Sequence, residues 1–239
     1  MSETAGSPVV ELRDLAFSWP GQAAPVLHIP LFRLEAGEQV FLSGPSGSGK
    51  STLLGLIGGI LQPSGGAARV LGTEISRLSG QARDRFRGDH TGFIFQQFNL
   101  VPYLSVLENV LLPCRFSALR RRRALEQGRT LPLAAQRLLE RLDLTPDVWL
   151  RRADRLSVGQ QQRVAAARAF AGRPELIIAD EPTSSLDADR QQAFLSLLRR
   201  ECAETGASLL FVSHDQRLAT AFSRAVTMDA INRTEGRAA

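Results

Sequence analysis

A glycine-rich turn between an apolar run and a helical pattern constrains the fold of this chain more than any other stretch. Residues 40–42 are apolar enough for a buried strand, and residues 53–57 continue as the first turns of a helix. In that setting, Gly-x-x-x-x-Gly-Lys-Ser indicates a phosphate-binding loop. The loop consists of Gly44, Pro45, Ser46, Gly47, Ser48, Gly49, Lys50, Ser51 and Thr52.

The residue types of this loop suit a nucleoside triphosphate. Glycines let successive backbone N–H groups converge on one anion, and the helix N-terminus adds a partial positive charge. We expect Lys50 to reach the β- and γ-phosphates and the Ser51 hydroxyl to ligate Mg²⁺. Lys50 is the only lysine in a chain whose net charge of +5 is otherwise carried by arginine. The sequence therefore predicts a nucleotide site here.

Strand and helix patterns alternate over much of the chain. Such alternation predicts a mainly parallel sheet covered on both faces, with its ligand at the carboxyl ends of the strands. Strands are expected at residues 9–12, 26–34, 39–43, 68–71, 91–95, 176–179 and 208–212, and helices at residues 75–87, 188–205 and 216–222.

One long segment departs from this alternation. From Asn99 to about Gln160 there is no β-rich run. Apolar residues instead recur at spacings of three and four residues, as in Ala135, Leu138, Leu139 and Leu142. We interpret this segment as a helical insertion. The prediction is a single domain over residues 1–239, with a core and β part formed by residues 1–96 and 161–239 and a helical subdomain formed by residues 97–160.

Composition excludes several classes of protein. Residues 1–10 hold no basic region followed by an apolar stretch, so we expect no signal peptide. No apolar run approaches the ~20 residues that span a bilayer. Cys114 and Cys202 are far apart in the chain, so we expect both to be buried within the protein. Two such cysteines fit a protein of a reducing compartment. The run Arg120–Arg123 has no interleaved aromatic residues, so a solvated helix face is expected there rather than a nucleic-acid surface.

An apolar strand at residues 176–179 ends in two acids, Asp180 and Glu181. The exit of a parallel strand lies beside the phosphate loop, so both carboxylates are expected in the nucleotide site. Asp180 would hold Mg²⁺, through water, and Glu181 would orient or deprotonate the attacking water.

A second anion-binding helix N-terminus is predicted at Leu156, Ser157, Val158, Gly159 and Gln160, which open a long helical pattern. Two such loops of one compact fold cannot reach the same γ-phosphate unless the second comes from another subunit. Here the sequence resembles the ATP-binding cassette (ABC) ATPases, whose signature motif this segment matches. The resemblance covers roughly residues 9–228 of the chain. In that family, ATP is sandwiched between the phosphate loop of one cassette and the signature of another.

The resemblance implies an α/β fold, namely a RecA-like P-loop NTPase core with a mainly parallel sheet, an antiparallel β part and an inserted α-helical subdomain. It also implies further roles. Trp19 matches the aromatic that stacks on adenine, with a core aromatic as the alternative. Gln96 matches the glutamine that senses Mg²⁺ and water, although Gln97 lies beside it. His214 matches the switch histidine, Val158 replaces the commoner signature glycine, and the loop that crosses the dimer interface matches Ser184, Ser185, Leu186 and Asp187.

The resemblance also implies partners. Both halves of a site are present, so a homodimer is expected, with a heterodimer as the alternative. The stretches 93–110 and 160–164 resemble the lipoprotein-releasing (LolD-type) and macrolide-exporting (MacB-type) branch, to which the cell-division ATPase FtsE belongs. That predicts an ATPase on the cytoplasmic face of the inner membrane, bound to a permease that can carry a large periplasmic domain, with no specific nucleic acid. A soluble ABC ATPase acting on nucleic acid or ribosomes, an importer ATPase and a small P-loop kinase are the alternatives.

Overall fold

The computed structural model describes residues 7–22 and 24–234, so most of the stretch searched for a signal peptide lies outside the described residues. Nine strands are present in this part of the chain. They are β1 (Val10–Phe17), β2 (Leu27–Leu34), β3 (Gln39–Ser43), β4 (Gly65–Val70), β5 (Thr73–Glu74), β6 (Thr91–Ile94), β7 (Leu176–Asp180), β8 (Ser208–Val212) and β9 (Arg224–Thr227).

These strands form two sheets. One is antiparallel in the order β2-β1-β4-β5, and the other is parallel in the order β6-β7-β8-β3-β9. The α-helices are α1 (Lys50–Ile57), α2 (Gly80–His90), α3 (Val106–Phe116), α4 (Ala118–Gly128), α5 (Leu131–Arg141), α6 (Val158–Phe170), α7 (Ala188–Thr205) and α8 (Met228–Ile231).

Successive residues of the parallel sheet enter two different cores. Ile177 and Phe211 belong to the apolar cluster shared with α3, α5, α6 and α7, whereas Ile178 and Leu210 belong to the cluster shared with α1 and the antiparallel sheet. Residues that alternate along a strand point to opposite faces, so both faces of the sheet are buried. The predicted covered parallel sheet with an antiparallel part is confirmed.

Helices α3 to α5 lie within the predicted helical insertion, between the strands β6 and β7. They share one continuous apolar cluster with the parallel sheet, including Val110, Leu139 and Ile94. Helix α6 begins at Val158 and runs past residue 160. Because α6 runs across residue 160, the limits of the helical subdomain at residues 97 and 160 stay a prediction.

Several elements differ from the expected ones. The strand expected at 68–71 is β4, which starts at Gly65; the helix expected at 75–87 is a 3₁₀ turn over Ile75–Arg77 followed by α2. The segment expected as a helix from 216 to 222 is a 3₁₀ helix over Gln216–Ala221. No helix among the described residues has the length and apolarity required to cross a membrane.

The solvated face expected for Arg120–Arg123 is wrong for its first residue. Arg120 is 3% exposed, and its guanidinium donates to the carbonyls of Ala169 and Ala171 at the end of α6. Arg121 and Arg122 are exposed as expected. Both cysteines are buried and free, as the sequence predicts.

Candidate functional site

The phosphate loop connects β3 to α1 and forms the floor of an open cleft. Gly47 and Gly49 have φ of 74° and 95°, the left-handed region that glycine adopts without strain. A Cβ on Gly44 would lie 2.8 Å from Ser48 Oγ and 3.0 Å from Met228 Cβ, so the loop has no space for a side chain there. The cleft is lined by Trp19, Val26, Ser46, Gly47, Gly49, Lys50, Ser51, Thr52, Gln96, Asp180, Glu181 and His214.

Lys50 is held inside this loop. Its side chain is largely buried, and its Nζ donates to the carbonyl of Gly44 at 2.8 Å and to that of Pro45 at 3.0 Å. These contacts hold the ammonium group against the start of the loop, in the cleft that the first residues of α1 also line. The cation and the helix N-terminus therefore act on the same point of the cleft.

Ser51 and Asp180 bring two oxygen ligands together. Ser51 Oγ donates to Asp180 Oδ2 at 3.2 Å, although the two residues are 129 positions apart in the chain. Burial raises the pKa of Asp180, and the charge of Glu181 raises it further, while the Ser51 hydroxyl and Lys50 oppose the change. A hydroxyl and a carboxylate are hard ligands that fit Mg²⁺ when phosphates and water complete its shell. No cluster of three or more His, Cys, Asp or Glu that could hold a metal alone occurs in residues 7–22 and 24–234.

Glu181 and His214 form a pair at the mouth of the cleft. His214 Nδ1 lies 2.9 Å from Glu181 Oε2, and the carboxylate side chain is 20% exposed against 64% for the histidine. Glu181 has φ of 45°, and its N–H donates to the Val212 carbonyl at 2.9 Å. A left-handed non-glycine residue is strained, and such residues cluster at functional sites. The backbone turn directs this carboxylate into the cleft.

Gln96 follows β6 and lines the cleft, whereas its neighbour Gln97 is exposed outside the lining. The backbone after them is held by Arg168 of α6, which the sequence reasoning missed. Its guanidinium donates to the carbonyls of Phe98 and Asn99, each at 2.6 Å, and both of these residues have positive φ. Its only signal in the sequence is an arginine within the alanine-rich run at residues 165–169.

Trp19 also lines the cleft. The ring is 41% exposed and packs edge-on against Phe17, with centroids 5.0 Å apart and planes at 86°. One face of the indole therefore remains available to the cleft. This placement does not fit the alternative of a core aromatic.

The predicted signature segment lies on a different surface. Ser157 caps α6 in a capping box, since its Oγ accepts from Gln160 N–H and Gln160 Oε1 accepts from Ser157 N–H. Ser157, Val158, Gly159 and Gln160 line a cavity with Arg163 and Leu186, and none of them lines the nucleotide cleft. Val158 is 49% exposed, a Cβ on Gly159 would meet nothing within 4 Å, and Leu156 is buried beneath them.

A buried glutamine connects the signature helix to the two acids. Gln162 is 1% exposed, and its Nε2 donates to the Pro182 carbonyl at 2.6 Å, directly after Glu181. The following loop runs outward through Ser184, Ser185 and Leu186 to Asp187, which caps α7 by accepting from Arg190 N–H. The loop therefore lies between the cleft and the signature surface.

A sequence model of the family described as ABC transporter matches residues 27–184. The chain belongs to this family. It is 42% identical over 233 residues to the lipoprotein-releasing system ATP-binding protein LolD of Anaeromyxobacter dehalogenans, covering 95% of this chain and 93% of that protein. It is 40% identical over 205 residues to the macrolide export ATP-binding/permease protein MacB of Rhodopirellula baltica, covering 85% of this chain and 29% of that protein.

A solved structure agrees with this assignment. The post-hydrolysis dimer of the ATP-binding cassette MJ0796 bound to ADP and Pi superposes with a TM-score of 0.78 at 33% identity, covering 96% of this chain and 99% of that one. The chain is an ATP-binding and ATP-hydrolysing subunit of an ABC complex. The predicted family, fold and ATPase activity are confirmed.

Proposed function

We propose that two copies of this chain close head to tail around two ATP molecules, and that closure is the mechanical output. The observation that carries this proposal is the position of the signature segment. Ser157 and Gly159 present an exposed helix N-terminus on a surface separate from the cleft that holds Lys50. Within one chain they do not line the phosphate loop's cleft, but a second copy related by closed symmetry would bring them to it. The Ser184–Asp187 loop between the two surfaces would cross that interface.

The cleft residues divide the chemistry between them. The loop backbone and Lys50 would bind the β- and γ-phosphates, and Trp19 would stack on adenine. Ser51, Asp180 and Gln96 are the residues that would hold Mg²⁺, which when bound neutralises phosphate charge. Glu181 would orient the attacking water and accept its proton, and His214 would hold that carboxylate and contact the γ-phosphate. Hydrolysis followed by release of phosphate would then remove the charge that the signature of the second copy binds.

Complementation between two defective variants tests the composite site. Lys50→Ala removes the phosphate contact of one face, and Ser157→Arg blocks the other, so each variant alone should lose ATPase activity. In an equal mixture, half of the dimers pair the two variants and hold one intact site, which should restore up to about a quarter of wild-type activity. A mixture that stays as inactive as its components would overturn the head-to-tail site. The control is Lys50→Ala alone, at the total protein concentration of the mixture.

We propose that the membrane partner is a permease of export or mechanotransmission type, with a large periplasmic domain, which holds the ATPase at the cytoplasmic face of the inner membrane. The similarity to LolD and MacB proteins over most of this chain supports this. In the MacB protein, the matched region is 29% of one longer polypeptide named as ATP-binding and permease protein.

Capture of the closed state identifies that partner. A tagged Glu181→Gln variant, purified from detergent-solubilised membranes in ATP and Mg²⁺, should retain the closed dimer because hydrolysis is slow. Mass spectrometry should then find a permease with few spans and a large periplasmic domain. A permease with a substrate-binding protein would instead support an importer, and ribosomes or nucleic acid without a membrane protein would contradict a transport role.

A further inference from the structure

The last described residues of the chain cover the free edge of the antiparallel sheet. Strand β2 is an edge strand of that sheet, and an edge strand presents unpaired backbone groups. Asn232 Oδ1 accepts from His28 N–H at 2.8 Å, and Asn232 Nδ2 donates to the Val26 carbonyl at 3.1 Å. Arg233 N–H donates to the His28 carbonyl at 2.7 Å. The side chain of Asn232 thus replaces part of a neighbouring strand.

The same segment contacts the phosphate loop. Helix α8 follows β9, which pairs with β3, the strand that leads into the loop. Met228, the first residue of α8, is fully buried, and a Cβ on Gly44 would lie 3.0 Å from its Cβ. The segment therefore connects the start of the phosphate loop with the start of β2.

The residues that Asn232 holds belong to the adenine end of the cleft. Val26 lines the cleft together with Trp19. Val26 N–H donates to the Phe17 carbonyl at 2.8 Å, and the Phe17 ring packs against Trp19. The loop that carries Trp19 is thus closed by the Phe17–Val26 hydrogen bond, and Asn232 binds the carbonyl of that same Val26.

We infer that Asn232 is a positioning residue for nucleotide binding: it fixes the end of the Trp19 loop so that the indole meets the base. The inference rests on the proposed stacking role of Trp19. It assigns a function to the segment that follows β9. If Asn232 served only to cover a sheet edge, its loss would weaken all ligands of the cleft alike or none of them.

Binding of ADP compared with inorganic pyrophosphate separates these two roles, because pyrophosphate has no base. Both are measured by calorimetry with Mg²⁺ on the full-length chain. Asn232→Ala should weaken ADP about three- to tenfold, a part of the loss that removal of the stacking ring itself would cause, and leave pyrophosphate unchanged. Trp19→Ala should show the same selectivity with a loss of about tenfold or more. Asp229→Ala, an exposed change in the same segment, should change neither affinity.

Each of the other possible results contradicts a defined part of the proposal. If Trp19→Ala weakens ADP but Asn232→Ala does not, the inference on Asn232 is wrong and the role of Trp19 stands. If Trp19→Ala leaves ADP unchanged, the proposed stacking fails, and the inference fails with it. An equal loss of ADP and pyrophosphate affinity in Asn232→Ala assigns it a general structural role. Should that variant not fold, Asn232→Asp, which keeps the acceptor for His28 but loses the donor to Val26, is judged by the same comparison.

Discussion

His214 Nδ1 lies 2.9 Å from Glu181 Oε2, and the same pairing recurs at the opposite end of β7, where His90 Nδ1 lies 3.0 Å from Glu175 Oε2. Glu175 directly precedes the strand and Glu181 directly follows it. Ligands of parallel sheets bind at the carboxyl ends of the strands, and of the two pairs only Glu181–His214 lines the cleft there. The two pairs are therefore matched in chemistry but differ in position, because only one of them faces the cleft.

The first prediction compares one substitution at the two ends of β7. Glu181→Gln should lower kcat by at least about a hundredfold, because an amide cannot accept the proton of the attacking water. ATP affinity should stay near that of the wild type, since the loop contacts remain. Glu175→Gln makes the same chemical change outside the cleft and should leave kcat unchanged. Steady-state phosphate release and nucleotide titration measure both, and equal losses of kcat in the two variants would contradict the assigned roles.

The second prediction concerns stability against pH. Burial opposes the charge of Glu175, but hydrogen bonds from His90 and Arg123 outweigh it and lower the pKa of Glu175 to about 2. Its folded-state pKa lies below the unfolded value, so the stabilisation is present above about pH 4.5 and is lost as the pH falls towards about 2. After screening at this half-exposed site, the contribution is about 1 kcal/mol. Glu175→Gln should therefore lower Tm by about 2–4 °C at neutral pH.

Thermal unfolding of wild type and Glu175→Gln at a series of pH values checks this sign. The difference in Tm should be constant near neutrality and should narrow between about pH 4.5 and about pH 2. A difference that grows with acidity would mean that the carboxylate destabilises the fold. His90→Gln, which removes the imidazole that pairs with Glu175, should also lower Tm at neutral pH.

The third prediction concerns the backbone of Glu181. Its φ of 45° strains any residue with a Cβ. Alanine is ordinarily the more stabilising of the two small residues, because glycine loses more freedom on folding. At this position we expect the free energy of unfolding of Glu181→Gly to equal that of Glu181→Ala or to exceed it by up to about 1 kcal/mol. Urea unfolding of the two variants measures the difference, and both should lack activity. A clearly more stable alanine variant would show that the strain is absent.

Local signals in the sequence predicted two elements with their observed bounds. The strand β8 and helix α7 were predicted with the bounds that the structure has, since Gly206 ends the helix in the left-handed conformation and Asp187 caps its start. The cleft brings together Lys50, Asp180 and Glu181 because motif and strand exit fix their positions. These features depend on neighbours within a few residues.

Contacts between distant segments were not predictable in this way. The polar groups that Arg168 and Asn232 bind lie 69–70 and 204–206 positions away, and nothing in the local pattern indicates them. The helix α8 likewise begins at Met228, which packs against the distant Gly44 of the phosphate loop. The run of four arginines likewise looks solvated in the sequence, but the fold brings backbone carbonyls to Arg120 and Arg123.

The fourth prediction follows from that arginine. Burial lowers the pKa of Arg120 to about 10, so the guanidinium remains charged at neutral pH. Its Nε donates to Ala171 O at 2.6 Å and one terminal nitrogen donates to Ala169 O at 2.5 Å, which satisfies carbonyls at the end of α6. Arg120→Ala leaves these buried acceptors unpaired and should cost about 3–5 kcal/mol of unfolding free energy in urea. Arg121→Ala, the exposed neighbour, should stay within about 0.5 kcal/mol of the wild type. Equal effects of the two changes would contradict the carbonyl contacts. Arg120→Lys should fall between them, because one ammonium group cannot span both carbonyls as the planar guanidinium does.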